Sequence, residues 1–381
     1  MMTRILLDTQ IFDQQEFGGI SRYFIELYTE FYKIKNLKIQ FPLLYTDNLY
    51  FRESVFFESS FQKKHNFLIK NGKIFRPFLP RKLKRKSIQH TIRQLKEQTF
   101  DLFIPTYYDP YFVAHLKNKP FVLTVHDMIH ELYPHYFAND PETIQNKRLL
   151  IEAATKIIAI SENTKKDLLH FYPQIDAKKV EVVYLAHTIT HEMTADQNLP
   201  EKYLLFVGKR SLYKNFNFFI KAVVPIMQQY PDIYIFCAGG NPFTSDELSL
   251  IDDLGLDGRV MQKNFEDRKL ASYYKNALCF VFPSEYEGFG IPVLEAMAAG
   301  CPVILTNNSS FPEVAGDAGI YFESNNASDL ERKLGELLKS SAFRELHIAK
   351  GIQQSRKFSW ERTAQETMKV YEQALKLNQN G

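Results

Sequence analysis

The chain has 381 residues and a net charge of +3, with 45% of its residues hydrophobic and 24% charged. That is the balance of a globular protein too large for one comfortable core, and it predicts two domains. No apolar run approaches the roughly 18 to 20 residues that span a bilayer, and the opening MMTRILLDTQIF reads as a first strand without a cleavable apolar segment, so a cytoplasmic protein is expected.

In chain order, short β-rich runs alternate with helical patterns. The first half predicts strands at Arg4–Thr9, Ile39–Tyr45, Asp101–Pro105, Phe121–His126, Lys156–Ile160 and Val180–Leu185. Alternation of this kind argues for βαβ units and parallel sheets. After the first strand comes IFDQQEFGGISRYF, in which Gly18 and Gly19 precede an amphipathic helix. A glycine pair there is a plain turn, or a place where backbone N–H groups approach a bulky anion closely.

Charge is uneven along this half. Residues 1 to 197 carry 27 Lys+Arg against 22 Asp+Glu, and the remainder 20 against 22. The excess gathers between Ser59 and Lys96, where twelve cations, among them Lys82, Lys84, Arg85 and Lys86, meet no acidic residue. Phe61, Phe67, Phe75, Phe78 and Leu79 interleave with them. Such a segment is a solvated face, or one that seats apolar anchors in an anionic membrane interface and meets an acceptor carried on a lipid diphosphate. No nucleic-acid recognition motif accompanies the charge, and none is expected as a partner.

Strand FVLTVHD ends in His126 and Asp127. His126 is a satisfied structural histidine or a donor to a sugar hydroxyl. His126 and His130 echo a zinc spacing, but the second position of HDMIH is Asp and no third ligand is evident, so no metal is predicted. The polar stretch from Ile189 to Lys202 reads as a linker. Beyond it a second strand series is predicted at Tyr203–Val207, Ile233–Ala238, Arg259–Gln262, Cys279–Phe282, Pro302–Thr306 and Gly319–Phe322. Ligands of doubly wound sheets bind at the carboxyl ends of the strands. The three cysteines, Cys237, Cys279 and Cys301, are widely spaced in apolar stretches and read as reduced core residues. The closing helix from Trp360 to Leu377 carries Ala364, Met368, Tyr371 and Leu375 at helical spacing, which predicts one buried face.

Two segments of the second half carry the chemistry. LLFVGKRSLYKN closes a strand and places Arg210 and Lys214 in the loop after it, either as exposed surface cations or as a diphosphate clamp, with Arg the planar fork and Lys the point charge. SEYEGFGIPVLEAMAAG places Glu287 and Glu295 eight positions apart around Gly288, Phe289, Gly290 and Ile291. A glycine loop opening onto a helix directs free N–H groups at one point that favours phosphate, and Pro292 suits that helix's first turn. Glu295 is expected in the same first turn, where a carboxylate fits a ribose diol; Glu287, on the loop, would meet the sugar. Taken singly, each glutamate reads equally as a solvated or dipole-favoured residue.

GGISRYFIEL, TVHD, VGKRSLYKN, PSEYEGFGIPVLEAMAAGCPVI and FSWERTAQETMKVYEQAL, in this order over essentially the whole chain, resemble the family 4 glycosyltransferases. The resemblance implies the α/β GT-B fold, two Rossmann-like doubly wound domains facing a central cleft: residues 1–195 for the acceptor, 196–357 for the nucleotide-sugar donor, and 358–381 as a helix crossing back to the first. It implies that Glu287 contacts donor-sugar hydroxyls, Glu295 the ribose, Arg210 and Lys214 the diphosphate, Gly19 the phosphate, and His126 the sugar near its anomeric carbon. The family often has its basic residue directly after the strand glycine; here Lys209 stands there, so either Lys209 or Arg210 takes the diphosphate. Lys263 and Asn264, with Gln262, are expected to border a guanine or uracil base. The activity implied is transfer of a hexose, with mannose favoured, from a GDP- or UDP-sugar to a glycan or lipid-linked acceptor of cell-surface polysaccharide or lipopolysaccharide. Anomeric configuration would be retained, and the protein would be peripheral on the inner face of the membrane. A nucleotide-sugar epimerase on the same scaffold, or a non-catalytic sugar- or membrane-binding protein, would account for the clamp and the fold as well.

Overall fold

The computed structural model describes residues 2–58, 60–64, 78–189, 199–210, 212–264 and 267–380. Within these, the side chains of residues 61, 62, 78–82, 85, 267, 268 and 380 lie outside the description, as do most of the 189–202 stretch and Phe67 and Phe75 of the basic segment. The chain divides into two compact units, Met1–Leu185 with Trp360–Gly381, and Ala186–Ser359.

All twelve predicted strands are present, and every pairing between them is parallel. In the first unit β1 (Thr3–Leu7) lies between β2 (Leu37–Gln40) and β3 (Leu102–Ile104), while β4 (Val122–Val125), β5 (Lys156–Ala159) and β6 (Val180–Val182) pair in sequence. A parallel bridge between Phe103 and Phe121 joins the two sets. The β2 expectation, Ile39–Tyr45, is corrected to an earlier span: Pro42 has no N–H for the ladder, and pairing stops at Gln40. In the second unit β7 (Tyr203–Val207), β8 (Tyr234–Ala238), β9 (Val260–Lys263), β10 (Cys279–Phe282), β11 (Val303–Thr306) and β12 (Ile320–Phe322) form one sheet in the order β12-β11-β10-β7-β8-β9. The order reverses between β7 and β10, which makes the carboxyl ends of these two strands the switch point where such sheets hold ligands.

The inner strands are nearly wholly buried, as in parallel sheets covered on both faces, while the edge strands β2, β6 and β9 are polar at alternate or end positions and half-buried. Leu204, Phe206, Ile235, Cys237, Val281 and Ile304 are buried in one core; Leu6, Phe103, Leu123, Val125 and Ile157 are buried in the other. All three cysteines are buried and unpaired. Helix α1 (Gly19–Tyr32) follows β1, α2 (Phe78–Glu97) carries part of the basic segment, and α3 (Pro141–Ala153) precedes β5. In the second unit α4 (Ser245–Asp253) follows β8 and α5 (Ile291–Ala298) follows β10; α6 (Trp360–Asn380) belongs to the first unit. The buried stripe of α6 is Thr363, Ala364, Thr367, Val370, Tyr371 and Ala374, so Met368 and Leu375 fall at its margin and not on it. Thr363 and Thr367 take buried positions on it: Thr363 Oγ1 donates to the Tyr184 carbonyl at 2.8 Å, and beside them the hydroxyls of Tyr371 and Tyr28 meet at 2.8 Å.

Candidate functional site

At the switch point of the second unit, the loops that leave β7 and β10 are tied together. The Glu285 amide donates to the Tyr213 carbonyl at 2.8 Å, and the Lys214 ammonium lies 2.5 Å from Glu287 Oε1. Their side chains are 19% and 13% exposed, so the pair is shielded but reachable. The rings of Tyr213 and Phe282 lie 5.0 and 5.1 Å from the same ammonium and give it an aromatic flank.

Residues absent from the sequence reading hold Glu287 in place. Ser309 Oγ accepts its amide at 2.9 Å, and the hydroxyls of Ser309 and Ser310 donate to its carbonyl at 2.5 and 2.9 Å. Ser310 donates also to the Phe289 carbonyl, Thr306 to the Ser284 carbonyl and Asn308 to the Glu285 carbonyl. The loop after β11 is therefore the scaffold of the loop after β10. Its polar run NNSS, ending the neighbouring strand, was the available signal.

Gly288, Phe289, Gly290 and Ile291 make the turn into α5. Gly290 has φ +96°, which favours glycine, and a Cβ there would lie a tight 3.2 Å from the Phe311 ring. Phe289 is buried against Phe358, with ring centroids 5.9 Å apart. Pro292 sits in the first turn. Glu295 does not: with Gly290 as cap, it is the fifth helical residue, and no acidic residue occupies the first turn. It is 2% exposed and accepts from the Tyr274 hydroxyl at 3.3 Å.

Arg210 departs from the expectation of an open clamp beside Lys214. Its guanidinium is enclosed: Nε donates to Glu247 Oε1 at 2.8 Å, Nη1 to the Gly239 carbonyl at 3.1 Å, and Nη2 to the carbonyls of Asn241 and Pro242 and to Glu247 Oε2. The Phe243 ring covers it at 4.6 Å. Glu247 is itself the third residue of α4 and accepts the Thr244 amide in a capping box. Burial pushes the Glu247 carboxyl up, but the bonds from Arg210 and Thr244 together outweigh it and its pKa is lowered. Lys209, one residue earlier, is exposed. Gly240 is required by this packing, since a Cβ would lie 2.5 Å from the Gly208 carbonyl. At the end of β9, Lys263 is half-buried and Asn264 exposed, with Asn264 Oδ1 accepting from Gln262 at 3.0 Å.

In the first unit, Gly18 caps α1 without any side-chain bond, and Gly19 is exposed with open space around its Cα. His126 is 6% exposed at the end of β4, edge-on to the Tyr23 and Phe24 rings at 5.5 and 6.0 Å. Burial, opposed by Asp127 and assisted by Lys147, pushes its pKa down to about 4, so the imidazole is neutral at pH 7. On α2, Lys84 lies 3.4 Å from Asp47 and Lys86 is exposed; the Lys82 and Arg85 side chains are outside the described residues. Among the described residues no group of three or more His, Cys, Asp or Glu is placed to hold a metal ion, and no helix is long and apolar enough to cross a membrane.

Residues 17–186 match the Glycosyltransferase Family 4 model and residues 191–354 the Glycosyl transferases group 1 model. The chain is 27% identical over 283 residues to the O-antigen chain mannosyltransferase B of Escherichia coli, a match spanning 70% of this chain and 73% of that one. It is 28% identical over 280 residues to the serotype-specific mannosyltransferase WbdA of the same organism, which covers 68% of this chain but only 34% of the much longer relative. Among solved structures, HepE of Anabaena in complex with UDP and glucose superposes with a TM-score of 0.70 at 16% identity, over 98% of this chain and all of that one.

Proposed function

We propose that this chain, which belongs to the glycosyltransferases of the GT-B fold, moves mannose from a GDP- or UDP-linked donor to a glycan or lipid-linked acceptor of cell-surface polysaccharide or lipopolysaccharide, with retention of configuration. The observation that carries the reading is the Lys214–Glu287 pair beside the glycine turn into α5, at the switch point of a parallel sheet. A cation and a carboxylate beside a helix N-terminus at the switch point of the sheet suit a sugar diphosphate. The names of the relatives favour mannose as the sugar.

In this mechanism the bond between the anomeric carbon and the diphosphate oxygen breaks with its electron pair staying on the oxygen. Lys214, the exposed Lys209 and the N–H groups of the α5 turn stabilise the charge that develops there. Glu287 positions sugar hydroxyls, and Glu295 accepts from the ribose diol alongside Tyr274. Gly19 offers its open backbone to the phosphate, and neutral His126 hydrogen-bonds the sugar near its anomeric carbon. The acceptor hydroxyl attacks on the face the diphosphate leaves, and the departing phosphate oxygen takes its proton. Lys263 and Asn264 border the base. The basic face of α2 would hold the protein at an anionic membrane surface on the cytoplasmic side, where a lipid-linked acceptor is presented.

The test is incubation with a panel of GDP-, UDP- and ADP-sugars, after a thermal-shift screen to find which one stabilises the protein. Release of free nucleoside diphosphate that accelerates with an acceptor glycan, and a product of the donor's anomeric configuration by NMR, is the expected result. Conversion of the sugar while it remains on the nucleotide would indicate an epimerase instead. An inverted product would overturn the retaining mechanism.

A further inference from the structure

Lys147 on α3 is fully buried, and a buried ammonium must be matched with acceptors. Its Nζ donates to Glu131 Oε2 at 2.8 Å and to the main-chain carbonyl of Asp127 at 3.2 Å, with the Asp127 carboxylate 4.0 Å away. Tyr172 donates to the other Glu131 oxygen at 3.2 Å. The ammonium also lies 5.2 Å from the centre of the Tyr108 ring, and the Tyr108 hydroxyl accepts the His126 amide at 3.1 Å. Asp127 Oδ1 accepts the Ile129 amide at 3.2 Å and closes the turn. The N–H before the His126 side chain and the carbonyl after the next residue are thus both fixed to one buried polar system.

As a device for stability alone, a buried Lys–Glu pair is no better than a well-packed apolar pair of the same volume. An apolar pair could not, however, bind a main-chain carbonyl of residues that have left the β-ladder at Val125. We propose that Lys147 is a positioning residue for glycosyl transfer: its ammonium holds the Asp127 carbonyl and thereby sets the direction in which His126 presents its imidazole to the donor sugar. The inference rests on the reading of His126 as a sugar contact. The ammonium also helps keep that imidazole unprotonated, so His126 meets the sugar as a neutral partner with one N–H and one lone pair.

The experiment compares His126→Ala, Lys147→Met, the neutral pair Lys147→Met/Glu131→Gln, and Lys147→Met combined with His126→Ala. Each full-length variant is assayed for GDP release from GDP-mannose, or for release from the sugar nucleotide the thermal screen selects. The neutral pair removes the carboxylate that Lys147→Met alone would leave unpaired, so it carries the test if the single variant does not fold. The expected result is a fall of about tenfold or more in kcat for Lys147→Met and for the neutral pair, with the donor KM within about threefold of wild type. Adding Lys147→Met to His126→Ala should lower kcat no further, because the two act as one unit. Wild-type kcat in the neutral pair beside an impaired His126→Ala overturns the proposal alone, as does a multiplicative loss in the combined variant. A fully active His126→Ala overturns the reading of His126 itself, and with it this proposal; that result is read with Lys147 intact and so is distinguishable.

Discussion

Replacing Lys214 by Met keeps the length of the side chain and removes its charge. In the folded protein this leaves the Glu287 carboxylate, 13% exposed, without the ammonium that stood 2.5 Å away. Exposed pairs are worth about 0–1 kcal/mol and breaking a buried one costs about 3–5, so this shielded pair should cost roughly 2 kcal/mol of stability. Much of that should return in Lys214→Met/Glu287→Gln, where no unpaired charge remains. The kinetic loss should be larger. A cation placed against the charge that develops on a leaving diphosphate contributes about 3–4 kcal/mol in the transition state, or roughly a hundred- to a thousandfold in kcat. The assay is initial-rate nucleotide release across donor concentrations, with urea melts on the same samples. A loss confined to KM, with kcat unchanged, would mean that Lys214 binds donor and transition state equally, and would refute its catalytic assignment.

Arg210→Met should lower stability by about 3–5 kcal/mol, read as a fall in the urea midpoint, because it strands Glu247 and three carbonyls; unchanged stability with a collapse in kcat would show that Arg210 serves the donor instead. Gly290→Ala forces a left-handed backbone and a contact with Phe311, costing roughly 1–3 kcal/mol, and the turn that opens α5 should lose donor affinity in a thermal-shift titration. His126 binds its proton less readily when folded, at about 4 against 6.5. Its contribution is therefore complete above pH 6.5 and lost as pH falls toward 4, by about 3 kcal/mol at most. His126→Gln should flatten the stability profile in that window, and parallel curves for the two proteins would contradict the burial argument. Neutralising Lys82, Lys84, Arg85 and Lys86 together should weaken binding to phosphatidylserine vesicles by about a hundredfold or more at roughly 1 kcal/mol per charge, with Lys84 contributing least because Asp47 already faces it; unchanged binding would end the membrane reading.

The strand series was legible because each run is a short apolar block bounded by turn residues, and burial on both faces leaves such blocks conspicuous. What failed was register at the ends. β2 stops before Pro42, and the helix after the glycine turn begins early enough, at Ile291, that Glu295 sits past its first turn. The buried face of α6 was misjudged because Thr363 and Thr367, polar in composition, turn inward to be bonded or packed. The Lys214–Glu287 pair joins residues 73 apart, and the hydroxyls that hold Glu287 come 22 and 23 positions later. No local period records contacts of that range. Glu295 with Tyr274, Arg210 with Glu247 and Lys147 with Glu131 are of the same kind: each partner alone reads as an ordinary surface charge or ring.

The most instructive of these is Arg210, because its position and chemistry point one way and its contacts the other. It stands two residues past Gly208 in the loop where a sheet of this topology holds its ligand, and a guanidinium fork suits a diphosphate. Yet of its five N–H groups, the Nε proton and both Nη2 protons are committed, along with one on Nη1, to Glu247 and to the carbonyls of the loop between β8 and α4. A phosphate that recruited Arg210 would have to displace Glu247, and Glu247 would then lose its charge partner while still capping α4. Lys209 needs no such exchange: it is exposed, its neighbour fixes the loop beneath it, and a flexible ammonium can swing to a phosphate at little cost. On the proposed reading Arg210 is a structural strut and the exposed Lys209 the cation offered to the phosphate, with Lys214 paired to Glu287 across the turn. A Lys209→Met variant should then raise the donor KM while leaving the urea midpoint of Arg210-intact protein unmoved, the reverse of what Arg210→Met does.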